Sequence, residues 1–210
     1  MLSAHDPDHL RRHLPPAAWP IVLQWLQQHP VRVHVVRPRR SKLGDYRSGA
    51  PGRPHRITVN NDLNPYAFLV TLVHEFAHHT AFERTKGWKD PHGPEWKADY
   101  QRLMRPYLSR MIFPDDVLHA LERHLCRPAA SSCADTTLMR VLRRYDLEPR
   151  PMLEELPDRT VFRFHDRLFV KGPKLRKRFR CQCLNDRRIY LIDAVAEVHL
   201  NAPLIVRKAS

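Results

Sequence analysis

The spacing of apolar and polar positions changes several times along the chain, and each change marks an element. In VRVHVV, Val31, Val33 and Val35 alternate with more polar neighbours, the period-two pattern of a strand. HRITVNN predicts a second short strand, and the two suggest an antiparallel pair. Between them, SKLGDYRSGAPGRP is rich in Gly, Pro and Ser and reads as turn or loop. Upstream, PPAAWPIVLQWLQQHP puts Trp19, Val22, Leu23 and Leu26 on one face of a short amphipathic helix that Pro30 ends. Downstream, Phe68, Leu69, Leu72, Val73, Phe76 and Ala77 recur at helical intervals, with Asn64 as cap and Pro65 in the first turn. After the interruption RTKGWKDPHGP, a helix is expected from Pro94 to about Leu108. FPDDVLHALERHL and ADTTLMRVLRRYD predict two more.

The pattern shifts again after about Asp146. LEPRPMLEELPDR carries three prolines and reads as a linker over residues 147–157. Short β-like runs follow: TVFRFH, RLFVKG, RFRCQCL, RRIYLID and AVAEVHL. The expected organisation is an α+β domain over 1–146, the linker, and a small all-β module over 158–210.

Polar groups on the apolar face of the central helix need a reason, because burying them is costly. His74 and His78 are four residues apart, so both imidazoles can reach one ion, and Glu75 completes the H-E-x-x-H arrangement in which the glutamate is a general base. A catalytic zinc site takes three protein ligands and keeps one place open. His92, in PHGPEW just before the next helix, is the candidate third ligand, with Glu95 as its rival. His79 lies about 100° further round the helix and reads as a core or exposed histidine. Fourteen histidines in 210 residues raise the chance of an accidental match, and the strong helical context lowers it.

Charge adds a partner class. Lys plus Arg number 36 against 22 acids, a formal net charge of +14, which favours nucleic acid. Within KGPKLRKRFRCQ, Lys171, Lys174, Arg176, Lys177, Arg178 and Arg180 lie beside Phe169 and Phe179. That mixture suits neutralisation of a nucleic-acid backbone together with base stacking, as on a single strand of DNA. The other reading is a solvated hairpin with its phenylalanines in the core. Cys126, Cys133, Cys181 and Cys183 are too few and too oddly spaced for a disulfide framework and are expected to be buried free thiols. With no apolar N-terminal run and no stretch near the ~18 apolar residues of a membrane span, a soluble, cytoplasmic monomer is expected.

HEFAHH followed across a short loop by HGPEW resembles the SprT-like metallopeptidases, the family of Spartan. RITVNNDLNPYAF, leading into the helix, and RRSKLGDYR, before the strand, are similar to the corresponding entry segments of bacterial members. The likeness covers residues 20–110 firmly and the tail loosely. It implies a zincin-like, minigluzincin-type fold with helices on a small antiparallel sheet. It further implies Zn2+ held by His74, His78 and His92, with Glu75 catalytic, in a peptidase acting on DNA-associated or DNA-crosslinked proteins. It favours His92 over Glu95. Many bacterial members end in a zinc ribbon with two paired-cysteine motifs. This tail has only Cys181 and Cys183 and no C-x-x-C, so the β module is expected to fold without metal. Extended substrate is expected along the strand edge at Arg56 to Asn60. The alternative is a non-catalytic, zinc-containing nucleic-acid-binding adaptor.

Overall fold

The computed structural model describes residues 7–39, 42–50, 52–87, 90–128 and 135–200. The chain divides into two compact units, Met1–Leu147 and Glu148–Ser210, each with its own hydrophobic core.

The first unit begins with α1 (Pro7–Arg11) and α2 (Trp19–Gln28). The inward face of α2 is Val22 and Trp25, with Leu23 and Leu26 only half-buried. Trp25 takes the place because its indole stacks on Phe76 at 4.7 Å and meets the edge of Tyr107. Three strands follow: β1 (Val31–Val36), β2 (Gly44–Arg47) and β3 (His55–Asn60), in the order β1-β3-β2.

Two expectations fail here. β1 and β3 pair in parallel, Val31 opposite His55 through to Val36 opposite Asn60. The sheet is therefore mixed rather than antiparallel. The reason lies in the intervening loop, whose GDYR forms β2 and pairs antiparallel with the far side of β3. The chain thus returns to β3 in the same direction as β1. Central in the sheet, β3 is buried at Ile57, Thr58, Val59 and Asn60. Arg39 satisfies its polar members, donating from Nε to Asn60 Oδ1 at 3.0 Å and from Nη1 to Thr58 Oγ1 at 2.9 Å.

Helix α3 (Pro65–Thr85) starts as its sequence dictates: Asn64 Oδ1 accepts from the backbone N–H of Tyr66 and Ala67. It ends on Lys86 in the left-handed region, φ 51°. From Phe68 to Thr80 every residue is buried, so the helix is enclosed rather than amphipathic. The strands β2 and β3 cover one part of it and α4 (Pro94–Met104) another. Then come α5 (Asp115–Cys126) and α6 (Thr136–Arg143), the latter capped by Asp135, which also accepts from His124 Nδ1 at 2.9 Å.

The second unit is a five-stranded antiparallel sheet: β4 (Val161–Phe164), β5 (Arg167–Leu175), β6 (Arg178–Cys183), β7 (Ile189–Asp193) and β8 (His199–Leu200), in the order β7-β6-β5-β4-β8. Along β6, Phe179, Cys181 and Cys183 face inward at period two, onto Phe162, Phe169 and Ile192. Residues expected as linker belong to this core: Leu153 and Leu156 are buried in it, and Met152 bridges to Glu197. Proline content suggested a linker, but the apolar residues between the prolines find a surface to bury against. Cys181 and Cys183 are free and buried, while Cys126 is exposed, contrary to expectation. Cys133 lies outside the described residues. Among the described residues no helix is long and apolar enough to cross a membrane.

Candidate metal centre

His74 and His78 occupy successive turns of α3, their ring centroids 5.1 Å apart. His92 comes from the loop before α4 and places its ring 4.7 Å from His78 and 5.4 Å from His74. One ligand nitrogen from each lies within 4.8 Å of the other two. His74 Nε2 and His92 Nε2 face each other at 3.4 Å.

Local structure explains how a loop residue is held so closely. Asp90 Oδ1 accepts from the His92 backbone N–H, and Asp90 O accepts from Gly93 N–H. Gly93 tolerates this turn because it lacks a Cβ, which would sit 2.9 Å from Asp90 Cβ. One turn into α4, Trp96 packs its ring against His74, His78 and His92 at 4.7, 5.4 and 4.8 Å. Its Nε1–H donates to the His74 carbonyl at 3.3 Å. The end of α3 is tied to α4 by Arg84, which donates to Glu95 O and to the buried carboxylate of Asp99; Arg102 takes that carboxylate's other oxygen.

Burial, then repulsion from His78, His92 and His124, holds His74 well below the usual histidine range. Burial and then His92 push His78 down to about 3. Burial is also the largest cause lowering His92. At neutral pH all three are uncharged imidazoles, the form that donates a lone pair to a cation. His74 Nδ1 is buried without a hydrogen-bond partner among the described residues.

Glu75 points to the sheet side of the cluster, against β2. A Cβ on Gly44 would come within 2.6 Å of Glu75 Oε1 and 2.8 Å of Thr71 Cγ2, so glycine is required for this approach. Burial, then the nearby Asp45 carboxylate, raises the Glu75 carboxyl to about 8, opposed by Arg39, Lys42 and the Tyr46 backbone N–H. A carboxyl poised near neutrality can both take up and release a proton.

Other expected residues are placed differently. Glu95, the rival ligand, is half-buried and its carboxylate is not among the groups that converge. His79 is a core residue, fully buried, with neither ring nitrogen hydrogen-bonded among the described residues. The edge expected to take substrate, Arg56 to Asn60, is closed: β3 is paired on both sides, and the terminal strand beside Glu75 is β2. In the second unit, Lys171 corrects the expected nucleic-acid set. It is buried, its Nζ donates to the carbonyls of Leu156 and Glu154, and it sits 4.2 Å over the Phe179 ring. Phe169 and Phe179 are core residues, so they offer no stacking platform to bases. Lys174, Arg176, Lys177, Arg178 and Arg180 are exposed, Lys174 4.0 Å from Glu154.

Sequence reasoning passed over Gly44 and Tyr46, which hold Glu75, and Trp96, which supports the imidazoles. The spacing of Trp96, four residues beyond His92 and at the start of a helix, was the available signal. No family model, no curated protein and no solved structure matches the chain.

Proposed function

We propose that the first unit is a zinc-dependent peptidase of the SprT-like kind, acting on proteins associated with nucleic acid. The observation that supports this best is the convergence of His74, His78 and His92 beside the buried carboxylate of Glu75. The donor set fits zinc: three neutral imidazoles suit it, and tetrahedral arms of ~2.0–2.1 Å put neighbouring nitrogens about 3.4 Å apart. His74 Nε2 and His92 Nε2 stand at that separation, 3.4 Å.

A divalent cation held there supplies Lewis acidity toward a water molecule and toward the scissile carbonyl. Glu75 takes the proton from the attacking water and returns it to the leaving nitrogen. Gly44 and the Tyr46 backbone N–H hold the Glu75 carboxylate in place for both transfers. β2, as terminal strand, offers its backbone groups to an extended peptide. The net charge of +14 and the exposed Lys174, Arg176, Lys177, Arg178 and Arg180 favour an anionic partner such as DNA.

The adaptor reading rests on that same basic surface. Zinc-loaded protein incubated with single-stranded DNA and a basic protein substrate separates the two. Cleavage by the wild type, lost in Glu75→Gln with zinc content unchanged, supports the peptidase. Cleavage retained by Glu75→Gln overturns the assignment of the base, and DNA binding without any cleavage favours the adaptor.

A further inference from the structure

The Tyr46 ring lies nearly parallel to two histidine rings, 9° from that of His78 at 6.5 Å and 5° from that of His55 at 5.9 Å. On the His55 side lies a second convergence. His55 opens β3, and His79 and Glu83 are one turn apart on α3. One ligand atom from each of the three lies within 4.8 Å of the others. His55 Nε2 is 3.2 Å from Glu83 Oε1. A hydrogen bond from His55 Nε2 to the Glu83 carboxylate accounts for those two but leaves His79 unexplained. His79 is fully buried, surrounded by the rings of His29, His55, Phe76 and Tyr46, and neither of its nitrogens has a hydrogen-bond partner among the described residues. Buried polar atoms are nearly always paired, so an unpaired imidazole beside a histidine and a carboxylate points to a ligand.

We propose that His55, His79 and Glu83 form a second site for a divalent transition-metal ion, distinct from the His74–His78–His92 centre. Two imidazoles and one carboxylate select ions of the zinc and cobalt type over magnesium or calcium, which prefer all-oxygen shells. The Glu83 side chain is 49% exposed, so solvent reaches the site from that side and supplies the remaining coordination. Tyr46 Oη, 2.7 Å from His55 Nδ1, orients the ring from behind. The Gly49 backbone N–H also points at Nδ1, at 3.2 Å, which puts the His55 proton on Nε2 in the metal-free protein. A cation at Nε2 displaces that proton; Nδ1 then carries one and donates it to Tyr46 Oη, and the Gly49 contact is given up. That exchange makes this the weaker of the two sites.

Equilibrium dialysis of the metal-free full-length protein against Zn2+ or Co2+, with elemental analysis, tests the proposal. The expected result is two equivalents for the wild type and one each for Glu83→Gln and His55→Gln. His92→Ala is expected to keep the equivalent that Glu83→Gln removes. Cobalt absorption that persists in His92→Ala and disappears in the double variant with Glu83→Gln identifies the ligands. A wild type that binds one equivalent, lost in His92→Ala and unaffected by Glu83→Gln, overturns the second site while leaving the first. Binding that survives His92→Ala fully and depends only on Glu83 removes the first site and keeps the second. Glu83 is half-exposed, so Glu83→Gln decides the matter even if His55→Gln fails to fold.

Discussion

Both units bury basic side chains, and they treat them in opposite ways. In the second unit, the Lys171 ammonium is met by the carbonyls of Leu156 and Glu154 and by the Phe179 ring. Its donors are used internally, so its role is to join β5 to the 153–156 turn. In the first unit, His79 is as deeply buried, yet neither of its ring nitrogens has a hydrogen-bond partner among the described residues. A buried polar group with its partners in place is architecture. A neutral one that stands beside other metal-ligating groups with its capacity unused leaves room for a ligand.

The comparison can be broken in order of expected effect. Glu75→Gln should lower peptide hydrolysis by about 10²–10⁴-fold, the usual worth of a general base, with zinc content unchanged; a steady-state rate near wild type would sink it. Acid comes next. The unfolded chain protonates its histidines near ~6.5, whereas folded His79 holds out to about 4, burial being the main cause, and His78 to about 3. Stability of the metal-free protein is therefore full above ~6.5 and falls as pH drops toward 4, by on the order of 3 kcal/mol from His79 alone. Denaturant melts of the metal-free protein between those pH values measure it, and a flat profile contradicts the buried-neutral assignment. Gly44→Ala should displace the Glu75 carboxylate and cost roughly 10–100-fold in kcat, with zinc binding retained. Lys171→Met should destabilise the second unit by about 1–3 kcal/mol, read by chemical denaturation, because two carbonyls lose their donor. The smallest effect is a binding one: Arg176→Gln with Lys177→Gln should reduce the salt slope of single-stranded DNA binding by about 1.4 if both contact phosphate, with no change in fold. An unchanged slope would remove that surface from consideration.

Much of the first unit was legible because α3 announces itself. Its cap, its apolar spacing and the i, i+4 pair of His74 and His78 are local signals, and the structure adds His92 beside them. β2 was hidden because a four-residue strand that opens on glycine has no period long enough to read, and its burial is tertiary. The parallel pairing of β1 and β3 was hidden for the same reason, since it depends on where β2 goes. Lys171 was misjudged although the signal existed. Two residues after Phe169 on one strand, it shares that residue's inward face, and only beyond the bulge at Lys171–Lys174 does the charge run turn outward. His79 and Glu83 show their spacing in the sequence, but only the folded strand brings His55 to them.

The position of Trp96 has a practical consequence. Its indole lies within 5.4 Å of all three imidazole rings and is stacked on Tyr100. Fluorescence from that indole should therefore respond to a change in the charge or rigidity of those neighbours. The difference in fluorescence between wild type and Trp96→Phe, which cancels the other three tryptophans, should then gauge cation binding at the centre on unlabelled protein and in the absence of any substrate.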